Sequence, residues 1–128
     1  MRRARRFGDM TTKTELTAFR DGVKVTKALY ADINRLSRVM TMTGIADKRE
    51  ELDRLTTMYR DYASRYSVKK IKQLTEGTDL SAKEQLIFEL FYGDAMPVSE
   101  LSNKYFYSER MIYYNLKRAR AKLHIMEV

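Results

Sequence analysis

The sequence predicts an all-α protein, with an N-terminal helical hairpin followed by a C-terminal helix-turn-helix bundle. Three observations carry that prediction. Apolar residues recur at steps of three and four along most of the chain, and no stretch alternates with the period of two that a half-buried strand requires. Pairs of the form Asp/Ser-x-x-Glu precede two of these stripes, as capping boxes do. Gly44, Gly77, Gly93 and the single proline, Pro97, fall between stripes, where such residues end one helix and admit the next. There is no internal repeat.

Residues 1–12 hold Arg2, Arg3, Arg5 and Arg6 with little apolar content, so they are expected to form a flexible basic arm. Such an arm either enters a minor groove and tracks phosphates or is a solvated tail. From Thr14 to Thr41 a helix is expected, carrying Leu16, Phe19 and Val23, then Leu29, Ile33, Leu36 and Met40. The two sets are out of phase around Gly22 to Thr26, which predicts a bend or a late start there. Gly44 suits the left-handed position after a helix, and Asp47 with Glu50 marks the start of the next. That helix carries Leu52, Leu55, Tyr59, Tyr62 and Tyr66, the seam that packed antiparallel helices or a coiled coil require. Its phenols need polar partners or water, which suits packing within one chain or a wet subunit interface. After Tyr66 the stripe shifts to Val68, Ile71 and Leu74, with Lys69, Lys70 and Lys72 opposite. Residues 13–76 are therefore read as a helical hairpin for oligomerisation or partner contact.

Residues 77–128 are read as a DNA-binding unit. Thr75 to Asp79 connects, Ser81 with Glu84 forms a capping box, and Leu86, Ile87, Leu90 and Phe91 follow as a buried face. Pro97 to Leu123 then reads as two short helices around a tight turn. Ser108 is placed to cap the second, and Ile112, Leu116, Ala119 and Leu123 face inward at steps of four, three and four. Arg110, Tyr113, Tyr114, Lys117, Arg118, Arg120 and Lys122 take the rest of its surface, with Tyr113 alternatively half-buried. Between Leu80 and Asn103 the charges are mostly acidic, Glu84, Glu89, Asp94 and Glu100 against Lys83. The sign changes at the turn, as a face aimed at phosphates demands.

The stretches LSAKEQLIFELFYG, ELSNKYFYSERMI and LKRARAKL resemble region 4 of bacterial sigma-70-type factors. Among standalone proteins they are similar to the late-gene transcription regulators of phages and prophages of the ArpU and RinA type. The resemblance runs from Leu80 to Leu123, about a third of the chain. It implies a helix-turn-helix on duplex DNA, with RNA polymerase as a further partner. Where the family places glycine in the turn, a site of positive φ, this chain has Phe106. Nothing resembles the sigma segment that melts promoters, so a complete sigma factor is not expected.

Composition points the same way. At 128 residues the chain is one compact unit or a small domain with an extension, and its net charge of +8 favours an anionic partner, nucleic acid before acidic membrane. Cysteine is absent, which removes thiol chemistry and fits a reducing cytoplasm, here that of a bacterial host. No apolar run approaches the ~20 residues of a membrane span, and MRRARRFGDM lacks the apolar core of a secretory signal.

An enzyme is not expected. His124 is the lone histidine, placed near the end of the last helix where fraying is expected, so no metal-ligand spacing exists. Glu50 and Glu51 read as helix-start charges. Tyr113 and Tyr114 beside arginines suggest a tyrosine recombinase, but the chain is too short for that fold and lacks its spread of Arg and His. No glycine-rich phosphate loop is present. No cofactor, metal or small-molecule substrate is expected.

The predicted function is sequence-specific binding of double-stranded DNA, as a regulator of phage or prophage late genes. Arg110 and Tyr114 are the expected base contacts, because arginine bonds guanine at two points and tyrosine packs on a thymine methyl. Ser108, Tyr113, Lys117, Arg118 and Arg120 are the expected phosphate contacts. One recognition helix reads few base pairs, so a homodimer through the hairpin, or RNA polymerase, is expected to complete the site. Two rivals are a small terminase subunit, which would assemble as a ring on packaging DNA, and a polymerase-binding adaptor acting by protein contact alone.

Overall fold

The computed structural model describes residues 10–43 and 48–128. They form six α-helices: α1 (Lys13–Thr43), α2 (Arg49–Arg65), α3 (Val68–Thr75), α4 (Ala82–Phe88), α5 (Val98–Tyr105) and α6 (Glu109–Lys122). A single π-helical turn, Glu89–Gly93, extends α4. The all-α expectation holds among the described residues. The positions assigned to Gly44, Asp47, Arg2, Arg3, Arg5 and Arg6 lie outside them.

α1 runs unbroken from Lys13 through Gly22, so the late start expected near Gly22 does not occur. The change of phase has another cause. Leu16, Phe19 and Val23 face the main core, whereas the later stripe faces α2. Gly22 sits at the changeover, where a Cβ would collide with the ring of Tyr66. The missing side chain is a notch that lets Tyr66 lie against α1, edge-on to Phe19 with ring centroids 5.5 Å apart. Tyr62 follows at 5.6 Å from Tyr66, and Tyr30 meets Tyr59 at 5.6 Å. The tyrosine seam is thus an intrachain one, half-buried along its length, and α2 buries no residue fully.

One core joins the two regions that the sequence separates at residue 76. Leu16, Phe19 and Val23 of α1 meet Ile71 and Leu74 of α3, Phe88 and Tyr92, Leu101 of α5, and Ile112, Leu116 and Ala119 of α6. α3 and the first half of α1 therefore belong with the C-terminal helices, and only α1 beyond Leu29 projects with α2. The π turn moves the face expected of α4. Phe88 and Tyr92 are buried outright, while Leu86, Leu90 and Phe91 are half-buried.

Residues 10–12 also depart from expectation. Met10 is buried in the core, the Met126 N–H donates to the Thr11 carbonyl at 2.8 Å, and the Lys13 N–H donates to the Met126 carbonyl at 2.7 Å. The C-terminal segment is fixed by the same contacts rather than frayed, and Leu123 and Ile125 are buried.

Candidate nucleic-acid interface

Pro97 precedes α5 with φ −63°, and its missing N–H falls where a helix start leaves donors unused. Leu101 anchors α5 in the core. Phe106 ends it in the left-handed conformation, φ 58° and ψ 35°, so the residue standing in the glycine position takes the positive φ itself. The Ser102 hydroxyl donates to the Tyr107 carbonyl at 2.6 Å and closes the three-residue connection. Ser108 then caps α6, its hydroxyl accepting from the Met111 N–H at 3.1 Å, as the sequence predicts.

The inward stripe is also as predicted. Ile112, Leu116, Ala119 and Leu123 are buried. Asn115, which sequence reasoning passed over, is buried beside them and donates to the Met111 carbonyl at 2.8 Å. Its position between Ile112 and Leu116 was the available signal.

The outer residues divide into three groups. Arg110 and Lys117 are exposed and make no ion pair among the described residues, and Tyr113 and Tyr114 are 57% and 58% exposed. Arg118 is exposed but tethered. Its Nε donates to Glu84 Oε2 at 3.0 Å and its Nη1 to the Tyr114 hydroxyl at 3.1 Å, with the guanidinium 5.6 Å from the centre of that ring. The bond to Glu84 raises the Arg118 pKa.

Arg120 is a correction. The sequence reading gave it a phosphate, whereas it is 6% exposed and turned inward. It donates to both Glu127 oxygens at 2.7 and 2.8 Å and to the Tyr92 hydroxyl at 2.9 Å. Lying four residues after Leu116, it shares the buried side of α6, and a two-point carboxylate lets a guanidinium stay there. The bond to Glu127 raises the Arg120 pKa, Arg120 in turn lowers that of Glu127, and burial raises that of Tyr92.

Glu84 changes the meaning of the acidic-to-basic switch. It completes the Ser81 capping box, yet it is only 3% exposed and also accepts from Lys122 at 2.8 Å and Arg118 at 3.0 Å. The Lys122 bond, followed by the Ser81 N–H, holds its pKa at about 2. One buried carboxylate therefore ties α4 to α6 and takes up charge from two of the basic residues. Among the described residues, the outer-face cations that make no ion pair are Arg110 and Lys117.

No group of His, Cys, Asp and Glu among the described residues could hold a metal ion, and none of their helices is long and apolar enough to cross a membrane. No protein-family model, curated protein or solved structure matches the chain.

Proposed function

We propose that the protein binds double-stranded DNA sequence-specifically as a transcription regulator. The resemblance of Leu80–Leu123 to sigma region 4 and to ArpU/RinA-type regulators makes a phage or prophage late-gene activator, working in the bacterial cytoplasm, the most concrete form of that reading. The observation that carries it is the outer face of α6. From a capped start it exposes Arg110, Tyr114 and Lys117 opposite the buried stripe, with Tyr113 on its flank. Two phenol rings left more than half exposed add nothing to the core, and beside unpaired cations they have the chemistry of a groove-reading surface.

Arg110 and Tyr114 are assigned to base edges, and Ser108, Tyr113 and Lys117 to phosphates. Arg118 steadies Tyr114 through its hydroxyl and supplies a partly neutralised charge; Arg120 has no part in contact. The projecting hairpin leaves Tyr30, Met42 and Met58 exposed, which supports pairing with a second copy that would present two α6 helices to two half-sites. Contact with RNA polymerase rests on the resemblance alone.

Selection of bound sites from random duplexes at fixed salt, with competitor DNA, tests the reading. An enriched motif of a few base pairs per half-site is expected. Retention of all sequences alike would overturn it, because uniform binding is what phosphate contacts alone produce.

A further inference from the structure

The turn before α6 holds three consecutive aromatic residues, and they are used differently. Tyr105 and Tyr107 are half-buried against the core, their rings stacked with centroids 6.3 Å apart and 18° between planes. Lys104 lies over Tyr105 at 5.8 Å and Lys83 over Tyr107 at 5.1 Å. Phe106 between them is 92% exposed and occupies the left-handed region. A phenylalanine there meets two costs, a backbone conformation that disfavours its Cβ and an apolar ring left in water. The turn closed by Ser102 and anchored by Tyr105 and Tyr107 holds the backbone, but among the described residues the Phe106 ring has no place in the core. A large apolar ring left in water points outward, to a contact made only in a complex.

We infer that Phe106 is a further specificity-determining residue, its ring packing on the C5-methyl of a thymine at the edge of the site read by Arg110 and Tyr114. The inference rests on the DNA-binding reading above and names one contact within it. Phe106 lies two residues before the cap of α6, and the exposed Lys104, two residues before Phe106, is the cation available for a flanking phosphate. The major groove offers the thymine methyl as its apolar feature, and an aromatic ring is a fitting receptor for it.

The test uses the full chain, the duplex selected by the wild-type protein, and the variants Phe106→Gly and Phe106→Asn, both of which tolerate positive φ. Each thymine of the duplex is replaced in turn by deoxyuridine, which removes only the methyl. Both variants are expected to melt no lower than wild type yet bind the selected duplex roughly tenfold or more weakly, the value of one large apolar side chain. One deoxyuridine position should weaken wild-type binding about fourfold, the value of one buried methyl, and leave the variants unaffected. Variants that bind as tightly as wild type, or a deoxyuridine scan that costs all three proteins alike, would overturn the inference while the DNA-binding reading stands. A wild-type protein that selects no duplex removes both.

Discussion

The three arginines of α6 meet three environments, and their substitutions should separate accordingly. Arg120→Ala removes a buried two-point carboxylate contact and the partner of the Tyr92 hydroxyl. It is expected to lower stability by about 1–3 kcal/mol while DNA affinity per folded molecule stays unchanged, as denaturant titration and a binding isotherm would show. Arg110→Ala should do the reverse, leaving stability within about 0.5 kcal/mol and weakening binding by about 1–3 kcal/mol. Glu84 gives a pH signature. Its folded pKa of about 2 lies below the ordinary value of 4.5, so the stability it contributes is complete above about 4.5 and is lost as pH falls toward 2. Glu84→Gln should lower stability at neutral pH and flatten the acid limb of the stability curve; an unchanged limb would remove Glu84 from that role. The caps Ser81 and Ser108 were legible because their signal is local. The burial of Glu84 and Arg120 was not, because a charged side chain 3% or 6% exposed is sustained by partners 34 and 38 positions away in one case and by Glu127 and Tyr92 in the other.

At the level of elements, periodicity and cap signals anticipated the helical stretches and missed what redirects them. The apparent break in α1 is a change of partner, and Gly22 is the contact point. Gly22→Ala should drive a methyl into the Tyr66 ring and cost about 1–3 kcal/mol, because that ring is itself packed against Phe19 and Tyr62. A thermal melt equal to wild type would mean that Tyr66 is free to move aside. The shift from the Leu90–Phe91 face to Phe88 and Tyr92 follows from a π turn, closed by the Asp94 N–H on the Glu89 carbonyl. Such a turn adds a residue to one turn of helix without changing the apolar content, so the pattern carries no mark of it.

Across the whole molecule, the expected boundary at residue 76 gives way to one core plus a projecting hairpin. Sequence reading separates regions by linkers, and Thr75–Asp79 looks like one. It cannot register that Met10, Leu16 and Phe19 are returned to α3, α5 and α6 by contacts spanning most of the chain. The hairpin beyond Leu29 leaves Tyr30, Met42 and Met58 exposed, and light scattering is expected to give twice the chain mass. A monomer would remove the dimer from the account, and a large ring would favour the terminase reading. The charge of the outer face should appear in salt dependence, with Lys117→Ala lowering the slope of log affinity against log salt by about 1 and weakening all duplexes alike.

The central claim is that the exposed face of α6 reads bases, and the most direct measurement is the affinity of wild-type and Arg110→Ala protein for every single-base variant of the selected duplex at one salt concentration. The account predicts that wild type discriminates at each contacted position and that the variant loses discrimination at one of them while keeping the others. Equal affinity of wild type for all variants, or an Arg110→Ala loss spread evenly over them, would contradict it.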